Sequence, residues 1–323
     1  MSHITVIDIA ELLQSISHNS EYTSKHIADV SAQIKLATKT SGFFYIIGLS
    51  LQSDVLDEVK AAQRAFFALT PEQKNQVTIN RDNRGYLSSG MAKMHGAKAH
   101  DQKEVFFWGA ELPENHPQLL NNVPLCANNQ WPQQISHFRK AVLDYAAMIN
   151  FIGNALLRAI AHCLELDDRF FESRYQDSLL RGQLIRYPPT QGTEENFGVA
   201  PHTDFGCLTL LLQQTPGLQV LSSGKWIEAP PIDGTLVVNV GDLLTRWSDN
   251  RLPSSVHRVR NESQSDRYSI AVFHDPNPTV AITPADMGSD TSGFETVTAA
   301  EYILGRNSGA FSHYGNVTAG SKG

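Results

Sequence analysis

The chain lacks several features that would assign it at once to a large class of proteins. It has no apolar run near the roughly 18–20 residues that a membrane-spanning helix needs, and its first residues have neither a basic nor an apolar stretch. Its net charge is −7, so the basic excess typical of nucleic-acid-binding proteins is missing too. We therefore expect a cytoplasmic protein without a signal peptide, whose partners are neither membranes nor nucleic acids.

Cysteine is scarce as well. The three cysteines, Cys126, Cys163 and Cys207, are odd in number and lack the spacing of a metal site. They are predicted to be buried free thiols, as expected in a reducing compartment. Hydrophobic residues make up 41% and charged residues 18% of the chain, which indicates an ordinary globular protein rather than a disordered one. A chain of 323 residues is long enough to bury a substantial core.

Helical patterns are prominent in the first half of the chain. Apolar spacing predicts a helix over residues 24–38, and Thr70 followed by Gln73 predicts a helix start with a capping box. The aromatic and β-branched run Phe43–Ile47 is typical of a buried strand, and residues 84–86 suggest a turn. The longest predicted helix extends from about residue 132 to residue 166, and we expect it to back a sheet.

After residue 167 the pattern changes to short β-rich runs separated by Gly, Pro, Ser and Asn. Residues 222–225 predict a hairpin turn, and residues 298–311 predict a C-terminal helix that folds back on the core. Many short strands punctuated in this way predict a double-sheet jelly roll. The expected fold class is therefore α+β, with a double-stranded β-helix core and flanking helices.

Two histidines and an aspartate carry the most chemical information. His202 and Asp204 are two residues apart, so on a strand both side chains would point to the same side. His257 follows 53 residues after Asp204, in another strand-like run. Two imidazoles and one carboxylate on one face of a metal form the facial triad of non-haem Fe(II) oxygenases, so we predict that these residues bind iron. Four other histidines lack this context: His95, His100, His162 and His274.

A second pattern follows ten residues after the distal histidine. Arg267 and Ser269 are two apart and could face one cavity, where a guanidinium fork and a hydroxyl would suit an organic carboxylate. The alternative is that Arg267 forms a surface ion pair with Asp266 or Glu262. Tyr187 could supply a phenol to the same carboxylate compound, or it could be a half-buried strand tyrosine. Together with the triad, this clamp predicts oxygen activation at iron driven by a 2-oxo acid.

With these motifs in order, the chain resembles the isopenicillin N synthase-like branch of the Fe(II)- and 2-oxoglutarate-dependent oxygenases. The resemblance covers most of the chain. The N-terminal blocks that carry it are Ile7-Asp8, Gly42-Phe43-Phe44-Tyr45, Phe66-Phe67-Ala68-Leu69 and Arg84-Gly85-Tyr86. The C-terminal blocks are Tyr187-Pro188-Pro189, His202-Thr203-Asp204, Gly217-Leu218-Gln219-Val220, Asn239-Val240-Gly241-Asp242, His257-Arg258-Val259, Arg267-Tyr268-Ser269 and Asp275-Pro276-Asn277-Pro278.

The resemblance implies a division of the chain and an activity. Residues 1–120 would be an accessory region packed on an oxygenase core of residues 121–323, in one compact unit. The cofactors would be Fe(II), 2-oxoglutarate and O2, held by His202, Asp204 and His257 and by Arg267 with Ser269. The activity would be oxidation, chiefly hydroxylation, of an unactivated C–H bond in a small-molecule metabolite, with release of succinate and CO2.

Two other functions remain possible from the sequence. Plant members of the family often carry an asparagine two residues before the tyrosine at the position of Tyr187, where this chain has Ile185. The run Leu-Ile-Arg-Tyr-Pro instead resembles the synthase that names the branch, which uses no 2-oxo acid. One alternative is therefore an iron oxidase or cyclase independent of 2-oxoglutarate, and another is a non-catalytic jelly-roll binding protein.

The residues that would contact a substrate are harder to assign. Tyr86, Phe107 and Phe273 are candidates for the pocket lining, although Phe107 also suits the core. A loop that could cover the site carries several basic side chains, which would meet a substrate carboxylate or simply be solvated: Arg84, Lys93, Lys98 and His100. Asp242 is expected to cap a short helix and to play a structural role. The sequence does not indicate an oligomeric state.

Overall fold

A computed structural model describes residues 4–49, 53–91, 101–189, 197–261, 263–289 and 293–308. Within them, the helices are α1 (Ala10–Ser17), α2 (Thr23–Thr40), α3 (Ser53–Phe67), α4 (Pro71–Lys74), α5 (Pro117–Leu120), α6 (Phe138–Cys163), α7 (Asp242–Trp247) and α8 (Ala299–Ser308). The strands are β1 (Thr5–Asp8), β2 (Phe43–Ile47), β3 (Gly85–Leu87), β4 (Glu104–Gly109), β5 (Leu179–Tyr187), β6 (Val199–His202), β7 (Leu208–Gln213), β8 (Leu218–Ser222), β9 (Lys225–Glu228), β10 (Leu236–Val240), β11 (His257–Val259), β12 (Arg267–Asp275), β13 (Ala281–Ile282) and β14 (Val297–Thr298).

Two sheets form the centre of the molecule. The larger has the order β1-β2-β10-β7-β12-β5-β4-β3, and the smaller has the order β6-β11-β8-β9. Only β1 and β2 pair in parallel among the pairs of these two sheets. Both outer pairs of strands in the larger sheet, β1-β2 and β4-β3, come from the first 120 residues. The predicted α+β class with a jelly-roll core is confirmed.

Side-chain alternation divides the core into two layers. On the outer face of the larger sheet, Leu184, Ile270 and Val272 pack in the main hydrophobic cluster with the helices. On the inner face, Ile185 and Ala271 belong to a second cluster that lies between the sheets. Because successive strand residues point to opposite faces, each long strand supplies both the core and the inner cavity.

The long helix α6 lies against the outer face of the larger sheet. Its buried face contacts β5, β7 and β12, as the apolar spacing predicts. The helix begins at Phe138, later than predicted, because residues 132–137 form turns ahead of it. By length and composition α6 could cross a membrane, but 67% of its most apolar window is buried inside the protein. Its apolarity is therefore explained by packing under the sheet.

Several local predictions hold. The capping box is formed, with Thr70 accepting from the Gln73 backbone and the Gln73 side chain accepting from the Thr70 backbone. The predicted hairpin joins β8 to β9, and both Ser223 and Gly224 adopt positive φ angles there, as a tight hairpin turn requires. The C-terminal helix begins one residue later than predicted, and its predicted end at Phe311 lies outside the described residues.

Two local predictions are wrong. Residues 85–87 form the edge strand β3 rather than a turn, because they pair with β4. Position 85 requires a glycine, since φ is +111° and a Cβ would lie 2.3 Å from the Val77 carbonyl oxygen. Asp242 is not a helix cap: Gly241 occupies the cap position of α7. The Asp242 carboxylate instead accepts hydrogen bonds from Thr203 and Ser254.

Candidate metal centre and the adjoining pocket

The two histidines of the triad meet across the smaller sheet. His202 ends β6 and His257 begins β11, and the two residues are directly paired in the antiparallel register. The Nδ1 atom of His202 is 2.8 Å from the Ala200 carbonyl oxygen, and that of His257 is 3.1 Å from the Ser255 carbonyl oxygen. A carbonyl can only accept, so each Nδ1 carries the proton and each Nε2 keeps a free lone pair. Both rings are thereby set to bind a metal through Nε2.

Asp204 completes the group from a loop, not from a strand. The expectation that it shares a strand with His202 is wrong, because β6 ends at His202. The loop is held instead by the Asp242 N–H, which donates to the Asp204 carbonyl oxygen at 2.7 Å. Asp204 Oδ1 lies 3.8 Å from Nε2 of His202 and 3.7 Å from Nε2 of His257.

The second oxygen of the Asp204 carboxylate is fully engaged by the protein. Oδ2 accepts from the Thr209 hydroxyl at 2.6 Å and from the Asn239 amide at 2.8 Å. These two bonds fix the plane of the carboxylate, so that Oδ1 faces the imidazoles. Such outer partners orient the ligands of a metal and raise its affinity.

The electrostatics of the three groups also suit a cation. Burial lowers the pKa of His202 to about 3, an effect to which the neighbouring His257 adds, so the imidazole stays neutral at ordinary pH. Burial alone would raise the pKa of Asp204, but both histidines and the hydrogen bonds from Asn239 and Thr209 outweigh it and lower that pKa. Two imidazoles and one carboxylate are therefore ready to bind a divalent ion.

The donor set fits ferrous iron. The three ligand atoms lie within 4.8 Å of one another, which is compatible with a shared metal at bond lengths of roughly 2.0–2.2 Å. Two nitrogens and one oxygen on one side of the ion leave its other side open, as in the facial triad of Fe(II) oxygenases. The cavity beside the triad provides space for further ligands on that side.

The predicted clamp is buried on the inner face of the larger sheet. Arg267 is 1% exposed and Ser269 fully buried, and Arg267 Nη1 lies 3.3 Å from Ser269 Oγ. The guanidinium lies over the ring of Tyr187, 4.7 Å from its centroid, in the directly paired position of β5. Tyr187 lines the cavity, but Arg267 and Ser269 do not, so the expectation that both face the cavity is not met.

The alternative of a surface ion pair for Arg267 is wrong. Its neighbour Asp266 pairs with Arg186 instead, at 2.8 Å, and Glu262 lies outside the described residues. Arg267 donates to the Pro216 carbonyl oxygen at 3.0 Å and to Gln213 Oε1 at 3.2 Å, which are neutral acceptors. Burial lowers the pKa of Arg267. Because these two acceptors are neutral, they do not balance the charge of the guanidinium.

Next to the triad, the cavity continues between the two sheets. Among the described residues, its wall combines aliphatic and aromatic side chains with several amides and two cations, Lys103 and Arg181. Its lining includes Phe43, Asn83, Lys103, Arg181, Gln183, Ile185, Tyr187, Val199, Phe205, Leu211, Phe273 and Asn307, together with the three triad residues.

One of the three aromatic residues predicted to contact the substrate, Phe273, lines the cavity. Tyr86 is buried in the main hydrophobic cluster, and Phe107 is buried in the second cluster between the sheets without lining the cavity. Tyr86 is hydrogen-bonded to Glu104. Arg84 is 2% exposed and donates to the carbonyl oxygen of Leu125, so it is neither a solvated loop residue nor part of this wall. The remaining candidates and one of the other histidines lie outside the described residues: Lys93, His95, Lys98 and His100.

Sequence reasoning missed the charged pairs of the pocket. Lys103 reaches Asp101 at 3.2 Å, and Arg181 reaches Asp275 at 2.6 Å. The partners within each pair are separated by two or by 94 residues, and nothing in the local sequence marks them as pocket residues. The one available signal was the inward alternation of β5, which places Arg181 and Gln183 on the same face as Tyr187.

A competing histidine, His274, is part of the core. It is fully buried on β12, stacks on Tyr175 with ring centroids 4.9 Å apart, and has Nε2 3.2 Å from Asn150 Oδ1. The three cysteines are free, and Cys126 is less buried than predicted. Within the described ranges, His202, Asp204 and His257 form the one cluster of three such ligands.

Comparison with known proteins agrees with this geometry. Residues 173–276 match the 2OG-Fe(II) oxygenase superfamily, and residues 4–134 match the family described as the N-terminal region of non-haem dioxygenases in morphine synthesis. A 2-oxoglutarate-Fe(II) type oxidoreductase, hxnY of Emericella nidulans, is 33% identical over 262 residues, covering 78% of this chain and 75% of the relative. The 2-oxoglutarate-dependent dioxygenase caaD of Aspergillus niger is 31% identical over 300 residues, covering 89% and 91%.

Solved structures of similar proteins share the whole fold. A protein of the 2OG-Fe(II) oxygenase family from Caulobacter crescentus has a TM-score of 0.81 at 28% identity, covering 95% of this chain and 99% of the other. A full-length protein of Neurospora crassa, solved in complex with 2-oxoglutarate and thymine, has a TM-score of 0.79 at 28% identity, covering 94% and 96%. The chain therefore belongs to the 2OG-Fe(II) oxygenase superfamily and is a 2-oxoglutarate-dependent non-haem Fe(II) dioxygenase, with O2 as its second cosubstrate.

Proposed function

We propose that His202, Asp204 and His257 are the iron ligands of this dioxygenase. The observation that carries the proposal is the hydrogen bonding behind the three groups. Both Nδ1 atoms face backbone carbonyls, and Oδ2 of Asp204 is held by two donors, so each group presents one remaining lone-pair atom to the same space. When bound there, ferrous iron supplies oxygen activation coupled to decarboxylation of 2-oxoglutarate to succinate and CO2.

Arg267, Ser269 and Tyr187 are proposed to hold 2-oxoglutarate. Supporting this, Arg267 is a buried cation whose described partners, Pro216, Gln213, Ser269 and Tyr187, include no carboxylate. A buried charge without a counter-charge is unfavourable, so an incoming carboxylate would stabilise it strongly. Since Tyr187 forms the wall in front of the guanidinium, we expect its ring to shift or its hydroxyl to share the carboxylate when the cosubstrate binds.

The test of this assignment is an anaerobic titration. Fe(II) with 2-oxoglutarate should give a visible charge-transfer band in the natural protein. The band should be lost in His202→Ala, and Arg267→Leu should weaken 2-oxoglutarate binding while Fe(II) binding remains. A flat spectrum from the natural protein would favour a non-catalytic binding protein. Product formed without one succinate per turnover would favour an oxidase of the isopenicillin N synthase type.

The substrate is proposed to be a small, uncharged, partly apolar metabolite. Both cations in the described part of the pocket wall have carboxylate partners, Lys103 with Asp101 and Arg181 with Asp275, so this part of the wall offers no unbalanced charge for an ionic substrate. The amide of Gln183 and the surrounding aliphatic and aromatic side chains suit a molecule with a polar edge and an apolar body. The presence of thymine in the similar Neurospora crassa structure is in keeping with that class.

A screen of metabolite pools by mass spectrometry tests the substrate class. The products sought are those of oxygen insertion or hydrogen loss that depend on both Fe(II) and 2-oxoglutarate. Thymine should stimulate succinate release more than 5-carboxyuracil does if the balanced charges of the pocket exclude an anion. Turnover confined to carboxylated compounds would contradict the proposal.

Two further expectations remain proposals. Residues 1–120 and 121–323 are proposed to form one folding unit, since strands from the first region lie at both sides of the larger sheet. A cytoplasmic location is proposed from the three free cysteines, which suit a reducing compartment. Limited proteolysis of the purified protein tests the first, and fractionation of the native cell tests the second.

A further inference from the structure

A buried glutamine of the first region contacts the strands that carry the proposed cosubstrate clamp. Gln63 lies on α3 and is 0% exposed. Its side-chain amide donates to the carbonyl oxygen of Ile185 at 3.0 Å and to that of Ser269 at 2.8 Å. These two residues are directly opposite each other in the pairing of β5 with β12. One amide group therefore bridges two neighbouring strands from the outer face of the sheet.

The contact lies at the level of the clamp. Arg267 and Tyr187, two residues along from the bridged pair, are themselves directly opposite each other. The side chains of Ser269 and Ile185 point to the inner face, so the amide holds their backbones from behind. Any change in the separation of β5 and β12 here would move Arg267 and Ser269 relative to Tyr187.

The amide is itself oriented by a short chain of donors. Arg64 Nη2 donates to Gln214 Oε1 at 2.9 Å, and Gln214 Nε2 donates to Gln63 Oε1 at 2.6 Å. With its oxygen occupied in this way, the NH2 group of Gln63 must face the two carbonyls. Arg64 also lies over the Tyr268 ring, 4.8 Å from its centroid, which ties the start of this chain to β12.

Packing alone does not explain a glutamine at this place. A side chain on the buried face of α3 would normally be apolar, as its neighbours Val59, Ala62 and Phe66 are. Burying an amide is unfavourable unless its hydrogen bonds are made, and here its bonds are directed specifically at the two clamp strands. Gln63 loses the apolar packing that another side chain would make here, but its hydrogen bonds fix the separation of β5 and β12.

We propose that Gln63 is a positioning residue for 2-oxoglutarate binding. It acts through the backbones of Ile185 and Ser269 and does not contact the cosubstrate. This inference rests on the proposed role of Arg267 and Ser269. Iron binding should not depend on Gln63, because the triad lies on the smaller sheet and on the loop at Asp204.

The test is to replace Gln63 by methionine, which keeps the length and the apolar part of the side chain but removes the donors. In anaerobic titrations of the Fe(II) form, we expect the Kd for 2-oxoglutarate to rise about tenfold, the lower end of what lost outer partners of a site cost. The Kd for Fe(II) alone should change less than twofold. The matched control is Gln33→Met, since Gln33 is an exposed glutamine of α2 that bonds only within its own helix.

The ratio of the two affinities separates positioning from general destabilisation. Equal losses of Fe(II) and 2-oxoglutarate binding, or an unchanged 2-oxoglutarate Kd in folded Gln63→Met, would overturn the proposal. If that variant does not fold, the test uses Gln214→Met, which removes the donor to Gln63 at a less buried position. The 2-oxoglutarate Kd should then rise two- to threefold, and an unchanged Kd would overturn the proposal. Absence of the band in the natural protein would instead refute the proposed function.

Discussion

The hydrogen bond from Thr209 to Asp204 allows a sharp test of how the protein orients this proposed metal ligand. Replacement of Thr209 by valine removes the hydroxyl that donates to Oδ2 at 2.6 Å but keeps the branched shape that β7 buries. The Asn239 amide remains, so the carboxylate keeps one of its two donors. The fold should survive, while the carboxylate gains freedom to turn away from the two imidazoles.

The size of the effect follows from the strength of that bond. A hydrogen bond to a charged group contributes about 1.5–3 kcal/mol, and about 1.4 kcal/mol corresponds to a factor of ten in affinity. Because Asn239 compensates in part, we expect the lower end, an Fe(II) affinity roughly tenfold weaker. The assay is anaerobic titration of the metal-free protein with Fe(II), followed by calorimetry or by the growth of the 2-oxoglutarate band.

A matched control is available in Thr235. Its hydroxyl is also buried and donates to the Ile232 carbonyl oxygen at 2.7 Å, but it makes no contact with the triad. Thr235→Val should leave Fe(II) affinity within twofold of that of the natural protein. If Thr209→Val and Thr235→Val bind Fe(II) equally well, the idea that the outer donors orient Asp204 is refuted.

Three other outcomes are expected. Arg267→Leu should weaken 2-oxoglutarate binding on the order of 100-fold, because a buried charge-assisted contact is lost. The measurement is calorimetry with the Fe(II) form, and an unchanged Kd for 2-oxoglutarate would contradict the prediction. Gly182→Ala should lower the free energy of unfolding, measured by urea denaturation, by about 3 kcal/mol or more, since its Cβ would lie 1.9 Å from the Trp108 ring. An unchanged free energy of unfolding would show that β4 and β5 can separate enough to admit the methyl group. Burial lowers the pKa of His274 to about 3, below its value of about 6.5 in the unfolded chain. Below pH 6.5 the unfolded chain therefore binds a proton that the folded chain does not. The free energy of unfolding is unaffected by this histidine above pH 6.5 and falls by about 1.4 kcal/mol per pH unit toward pH 3. His274→Phe should remove one proton's worth of that slope, and an unaltered slope of metal-free stability between pH 7 and 5 would contradict the assignment.

Periodic features were predictable from the sequence because each depends on neighbours along the chain. The run of apolar residues in α6, the capping box at Thr70 and the turn at Ser223 are specified within a few residues, and the structure contains all three. The clustering of His202, Asp204 and His257 was also predictable, since the short triplet at residues 202–204 and the distant His257 form a pattern with one strong chemical explanation. Its detailed support by Thr209 was not.

Features created by close approach of distant segments could not be predicted. Gly85 looks like a turn residue, and only its proximity to the Val77 backbone reveals why an edge strand needs a glycine there. Asp242 has the position of a helix cap, yet Thr203 and Ser254 draw its carboxylate elsewhere. Gln63 gave no signal at all, because its partners are 122 and 206 residues away.

The composition of the larger sheet limits how this enzyme can be divided. Strands β2 and β4, both from the first 120 residues, cover β10 and β5 with backbone hydrogen bonds on either flank. A fragment starting at residue 121 would expose two long rows of unsatisfied N–H and C=O groups, which attract other chains. We therefore expect a fragment of residues 121–323 to aggregate when it is produced alone, although all three proposed iron ligands lie within it.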